Sequence, residues 1–495
     1  MRQMVTRSSH SGIPSYSVDR GGMFTGSLIF GVGFRNEPVT LAGITHLVEH
    51  AVLRLVQPVT LWHGGTVQMD SVEFYACGDA DAVAGYLNAI AAALSGFTAV
   101  SEEDLALEKS ILEAENPHGF STVSGGLLTY RFGTNGLGAG HFGSPTLAGV
   151  SRAEAIEWAQ RWFTAENAAV TFTGPVPDSL DIRLPQGAAV TRHQPSPVIT
   201  APTLVWSQKS GVALSFLVPL RNSTFLGEAL RYELLARLRH ARGIIYSIVI
   251  LTTQIDDDCC QLDLILDPVA ANTAAALQAS VAAVRDVAAE GFTEDAVQAA
   301  HRALQALVTW DDNVASDYVI QVAVNGLLGR ATPTRQALLD AAASITGPEA
   351  TATLMTSLES LIVAVDKDIK VRKADVAALD LTLDSYDIWQ RHNGTGDLKL
   401  QESSEGHRKW RSKTSGAALT LTETHLLKLD SGKTKSIKLA DVVLVGDRSC
   451  GGISLMDRRG RSTEVHTDDW KDSKKLRRKL LRAFPTGIVR EFPEE

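Results

Sequence analysis

The sequence predicts an α+β protein of two similar domains in tandem followed by a small β-rich module, and three observations carry that expectation. The first is an internal repeat. Gly33-Phe-Arg-Asn36 is echoed by Pro219-Leu-Arg-Asn222, and Gly96-Phe-Thr98 by Gly291-Phe-Thr293, at offsets of 186 and 195 residues. The second is punctuation. Pro185, Pro195, Pro197 and Pro202 mark Asp181 to Pro202 as a linker between the copies, and a polar stretch from about Asn393 to Ser415 marks the start of something different. The third is the tail. From Ala417 it shows short alternating strands, with hairpins expected at Asp430-Ser-Gly-Lys433 and Arg458-Arg-Gly-Arg461 and a helix from about Asp472 to Phe484. Together these place the domains at 1–190, 203–375 and 415–495.

Within the first domain, residues 46 to 50 read His-Leu-Val-Glu-His in an apolar stretch, Gly43 to Leu53, with helical periodicity. On a helix His46 and His50 project from one face a turn apart, as two imidazole ligands of one zinc ion require. Glu49 stands beside them, where a carboxylate can take a proton from a water activated by the metal. A third ligand is expected from Glu102 to Glu115, a run of good helix formers. Its Glu108 and Glu115 are two turns apart, so they share a face. They are also about 10 Å apart along the axis, so both cannot bind one ion. One is the ligand and the other a supporting or substrate-side group.

The plainer reading of that helix is a solvated acidic face, and the repeat argues against it. Aligning Glu103-Asp104 with Glu294-Asp295 sets Ala299 at the place of Glu108 and Ala306 at that of Glu115, and the second copy has no H-x-x-E-H. Acids that served only to solvate a helix would have no particular reason to vanish from the copy.

These residues resemble the pitrilysin/insulinase-type zinc metallopeptidases, or inverzincins, whose pattern is H-x-x-E-H followed by a helix of the form E-x-x-V-I-x-x-E. Here that helix reads Glu108-Lys-Ser-Ile-Leu-Glu-Ala-Glu115. The resemblance covers about residues 15 to 370 and implies domains made of an antiparallel sheet with helices packed on it. It implies that His46, His50 and Glu115 bind Zn2+, that Glu49 is the general base, and that Glu108 is the supporting acid. Gly33-Phe-Arg-Asn-Glu37 looks like the family's strand-ending G-x-x-x-E, and Phe142 to Gly149 with the run to Gly174 like the loop, helix and strand closing its first domain. Two departures stand out. The gap from His50 to Glu115, 65 residues, is shorter than the family's, with the shortfall between Leu53 and Gly64. The substrate-strand motif G-G-x-x-N-A-x-T stands as Gly64-Gly-Thr-Val-Gln-Met-Asp-Ser71, with Gln68 in place of Asn.

In the second domain, Arg239-His-Ala-Arg-Gly-Ile-Ile-Tyr246 is similar to the family's R-E-x-x-G-L-x-Y. By that resemblance Arg239 and Tyr246 contact the substrate backbone and stabilise the oxyanion, and both side chains are suitable donors to a developing alkoxide. A helix ending in a basic turn with Gly243 as its stop fits the same residues. The family's chamber has four such domains and this chain two, like single-half processing peptidases of mitochondria and bacteria. Completing it implies a homodimer or a heterodimer with a related subunit.

Composition agrees with a cored, globular enzyme: 44% of residues are apolar and 21% charged. No apolar run approaches the roughly 18 residues of a membrane span and the start lacks the regions of a signal peptide, so a cytoplasmic location is expected. Cys77, Cys259, Cys260 and Cys450 show neither zinc-ribbon nor disulfide-framework spacing. Phosphate-binding glycine loops and a G-x-S-x-G elbow are absent, which excludes the corresponding nucleotide-binding and serine-hydrolase classes.

Charge divides along the chain. Residues 396–495 hold 21 Lys/Arg and 15 Asp/Glu, while the whole chain has a net charge of −9. Lys471, Lys474, Lys475, Arg477, Arg478, Lys479 and Arg482 crowd the expected C-terminal helix. Such a face is usually just solvated; a membrane surface or an acidic partner is its functional alternative, and no nucleic acid is expected. The tail as a whole is similar to a pleckstrin-homology-like module.

The sequence therefore reads as a zinc metalloendopeptidase cleaving peptides in an enclosed chamber. The alternatives are a non-catalytic or partner-dependent subunit of a heteromeric peptidase, a leader-peptide maturation protease for a ribosomally made peptide, and an adaptor whose function lies in the tail.

Overall fold

A computed structural model of the chain describes residues 5–57, 59–115, 126–141, 145–187, 196–207, 211–307, 312–384, 388–392 and 408–492. Of the segments singled out above, 142–144, residues 188–195 of the linker and 393–407 of the later polar stretch lie outside the described residues.

Six strands of the first half form one sheet, in the order Thr6–His10, Ile13–Ser17, Ala168–Phe172, Phe24–Phe30, Val72–Gly78, Trp62–Val67. Six of the second half form another: Thr382–Leu383, Thr203–Ser207, Ile362–Asp366, Val212–Pro219, Cys259–Pro268, Ile245–Gln254. From the second strand on, the two orders and directions correspond: one parallel pair, then three antiparallel pairs. The sheets are thus mixed, where the resemblance implies antiparallel ones. After the helices, Ala168–Phe172 returns to lie beside Ile13–Ser17 and Ile362–Asp366 to lie beside Thr203–Ser207, and a crossover of that kind brings two strands in parallel.

Alternation along the strands explains how each sheet is covered. Leu28, Phe30, Ala168 and Val170 face a core shared with Leu47, Val48, Ala51 and Val52 of the helix Ile44–Val56. On the other face, Ile29 and Ala169 meet Ala323 of Asp312–Leu328, a helix of the second half. The exchange is reciprocal. Leu127 of the short first-half helix Leu127–Phe132 packs on Val205, Ala213, Ile362 and Ala364 of the second sheet. The same helix sends in Arg131, which is 0% exposed. Its guanidinium donates to Gln261 Oε1 at 2.9 Å, Ser360 O at 2.8 Å and Ser215 Oγ at 2.9 Å. Gln261 donates in turn to both oxygens of Asp263.

One stretch, Val39–Val56, is long and apolar enough by composition to cross a membrane, contrary to the expectation that no run approaches that length. It is nonetheless a short 3-10 turn followed by a core helix, broken at Gly43, and most of its apolar residues are buried.

The C-terminal module has a five-stranded sheet, in the order Gln390–His392, Lys433–Lys438, His425–Asp430, Ala418–Leu421, Arg408–Arg411, and a four-stranded one, Ser462–His466, Gly452–Asp457, Val442–Arg448, Val489–Phe492. Trp389, Trp410, Val445, Leu455 and Trp470 share its core with Leu476 and Leu480 of the helix Ser473–Leu481. Two hairpins fall at Asp430–Lys433 and Asp457–Ser462, with Gly432 and Gly460 in the left-handed region. The helix does not end the module, as a helix-closed meander would require. Strand Val489–Phe492 follows it and adds in parallel to Val442–Arg448, while Gln390–His392 and Arg408–Arg411 join ahead of residue 415. On the basic helix Arg477 pairs with Asp447, and Lys474, Lys475 and Arg478 are exposed.

Candidate metal centre

Two helices bring the site together. Ile44–Val56 buries its apolar stripe under the first sheet, which leaves His46 and His50 on its flank facing Glu102–Glu115. The latter helix buries Leu105, Glu108 and Leu112 and carries Glu102, Glu103 and Asp104 in its first turn, where the helix dipole favours acids. The imidazoles of His46 and His50 lie 4.7 Å apart between centroids and nearly perpendicular.

Glu115 reaches both rings: its Oε2 is 3.9 Å from His46 Nε2 and 3.7 Å from His50 Nε2. One ligand atom from each of the three lies within 4.8 Å of the others, close enough for a single ion. Glu108 meets the other side of the same ring, accepting from His50 Nδ1 at 3.1 Å, which leaves Nε2 toward Glu115. Glu49 Oε2 stands 3.6 Å from His46 Nε2 and 3.8 Å from His50 Nε2. Five residues expected from the sequence therefore converge.

Their electrostatics follow from burial. Burial first, then the charges of Glu115 and Glu108, pushes the Glu49 carboxyl up to about 8. Burial, helped by His50, pulls His46 down to about 4. Two imidazoles and the carboxyl oxygens of Glu115 and Glu49 form a set of nitrogen and oxygen donors, and a divalent cation fits it.

The edge strand Trp62–Val67 closes the cluster on one side. A Cβ built on Gly65 would run into the Glu49 side chain, so glycine lets the strand backbone lie against this carboxyl without pushing it aside. The shortfall noted between Leu53 and Gly64 shows as a short link from the helix end at Val56 to this strand at Trp62. Gln68 stands past the strand's end, in the turn before Val72–Gly78, where its carbonyl accepts from Phe34 N.

Arg239 and Tyr246 come together but not with the cluster. Arg239 lies over the Tyr246 ring, 5.3 Å from its centroid, and Tyr246 is 66% exposed. Among the described residues no hydrogen bond or ion pair joins either to the His/Glu group. Arg239 is the penultimate residue of a π-helical segment, Leu235–His240, and Tyr246 is the second residue of the edge strand Ile245–Gln254.

Sequence reasoning missed three contributors. Arg54 pairs with Asp104 at 2.8 Å and lies 3.5 Å from Glu108; its position one turn after His50 was the available signal. Gly65 was read only within a strand motif. Glu37, read as a strand end, sits at the start of the His46 helix and bonds to its backbone.

No protein-family model matches the sequence, and no curated protein does. Solved structures do. A chain of complex III2 from Candida albicans superposes with a TM-score of 0.62 at 12% identity, covering 76% of this chain and 100% of that one. The peptidase M16 inactive domain from Pseudomonas fluorescens gives 0.58 at 14%, covering 74% and 100%. The first half of the periplasmic protease PqqL from Escherichia coli gives 0.59 at 13%, covering 76% and 96%. Identities this low speak for architecture alone: the two-sheet arrangement described above is one this chain shares with these three structures.

Proposed function

We propose that this chain is a zinc-dependent endopeptidase of the H-x-x-E-H class, with His46, His50 and Glu115 as the metal ligands. Structures with this fold include a protease and a domain described as inactive, so the fold does not decide activity and the site must. The observation that carries the reading is the convergence of two imidazoles and one carboxylate within 4.8 Å of one another, with a second, buried carboxylate beside both rings.

Zinc bound there supplies Lewis acidity toward a water and the scissile carbonyl. Glu49 takes the proton of the attacking water and delivers it to the leaving amine nitrogen. Glu108 holds His50 in the tautomer that keeps Nε2 free as a ligand. Arg239 and Tyr246 donate to the oxyanion of a peptide in a chamber completed by a second subunit, either a copy of this chain or a relative. The substrate is a peptide small or unfolded enough to enter.

The test is the full chain loaded with zinc and incubated with a mixed peptide library, its products read by mass spectrometry. Glu49→Gln is expected to keep one zinc per chain and to lose cleavage. Unchanged turnover in that variant would remove the mechanism.

A further inference from the structure

His46 and His50 are not held in the same way. His50 has a carboxylate on its second ring nitrogen, whereas among the described residues His46 Nδ1 makes no hydrogen bond. Metal-binding histidines usually owe their orientation to such a bond. Apart from the His50 ring and the Glu49 and Glu115 carboxyls around it, the place of His46 is set by its backbone, in the first turn of Ile44–Val56.

That turn is secured from outside. The first N–H groups of a helix lack partners within it, and a Ser, Thr, Asp or Asn at the cap position usually supplies one. Here the cap is Gly43, at φ 91°, with no side chain to offer. Glu37, six residues upstream and 3% exposed, does this instead. Its Oε2 accepts from Gly43 N at 2.7 Å and its Oε1 from Thr45 N at 2.8 Å. Burial pushes this carboxyl up to about 7, against the pull of the Thr45 side chain and of the two N–H groups. A small capping side chain at 43 would satisfy an N–H without burying a carboxylate. What Glu37 adds is a two-point tie between the segment following strand Phe24–Phe30 and the residue next to His46.

We propose that Glu37 is a positioning residue of the metal centre, fixing His46 through the helix backbone as Glu108 fixes His50 through its ring. This rests on the zinc reading above. The experiment measures zinc affinity of the full chain by chelator competition, and the absorption spectrum of the Co2+-loaded protein, for wild type, Glu37→Gln and Thr346→Ala. Gln keeps one acceptor and turns an amide NH2 against the other N–H. Thr346 caps Gly347–Ser357, a helix remote in sequence from the centre, and controls for lost stability alone.

The expected result is about a tenfold weaker zinc affinity and a shifted Co2+ spectrum in Glu37→Gln, with both unchanged in Thr346→Ala. Wild-type affinity and spectrum in Glu37→Gln, with only a lower melting temperature, would reduce Glu37 to a structural cap and overturn the proposal. Should Glu37→Gln fail to fold, Glu37→Asp, too short to span both N–H groups, is read the same way. A wild-type chain that takes up no zinc overturns the zinc reading itself, and is told apart from the other outcomes by the wild-type measurement alone.

Discussion

In the first half, the helices Ile44–Val56 and Glu102–Glu115 meet through His50, Arg54, Asp104 and Glu108. In the second, Ser223–Leu234 and Glu294–Leu307 meet through Phe225, Ala229 and Ala300, with the Phe225 ring 5.0 Å from His301. Carrying the 186-residue offset along the helix sets Tyr232, Leu235 and Ala236 where the first half has His46, Glu49 and His50. One scaffold thus has an apolar and a polar version of the same junction. The apolar version is packed through its middle and tied only at one end, where Glu233 accepts from Thr293 N and Thr293 Oγ1 at the start of the second helix. The polar version buries two carboxylates; Glu108 is bonded to His50, while Glu49 makes no hydrogen bond among the described residues. A buried carboxylate left in that state is a local cost to stability, of the kind that marks functional sites.

Arg131→Met removes the cation that ties the halves and leaves Asp263 buried without it, and should cost about 4 kcal/mol in urea unfolding. Two separate transitions in that variant, against one in wild type, would show that Arg131 also couples the halves. Ala300→Glu puts a carboxylate among the apolar side chains of Phe225 and Ala229, and a loss of about 3 kcal/mol is expected. A tolerated Ala300→Glu would mean that the two junctions are not different in kind. In the polar junction, Glu115→Gln should weaken zinc binding about 100-fold and Glu108→Gln about tenfold by chelator competition. The opposite order would exchange ligand and support. Smallest is Gly65→Ala, whose methyl displaces Glu49: kcat is expected to fall about tenfold with zinc content unchanged, and an unaffected kcat would show that the carboxylate can shift freely.

What was legible in the sequence was local. The helix expected at Glu102 to Glu115 has those bounds, because helical period and good helix formers decide it within one segment. His46, Glu49 and His50 converge with Glu108 and Glu115 because each pair is fixed by turn spacing. The offset between Asn36 and Asn222 marked two sheets of corresponding strand order. What was not legible depends on distant parts of the chain. Nothing in Leu127–Phe132 says that it covers the other half's sheet, since an apolar helix face is indifferent to which sheet it packs on. Glu37 escaped because a cap reaching in from six residues away matches no local capping pattern. Gly65 escaped because its role is the absence of an atom. Arg239 and Tyr246 lie side by side, yet their relation to the metal centre involves a second subunit in the reading proposed, which one chain does not contain.

The exchanged helices have a mechanical consequence. Prising the halves apart would strip Ile29 and Ala169 of their cover from one side and Val205, Ala213, Ile362 and Ala364 from the other, while pulling Arg131 out of its pocket. Hinging at that seam would thus expose two apolar sheet faces to water at once. In the peptidase reading proposed above, a chamber that admits and releases peptides opens away from this seam, which stays shut within the chain.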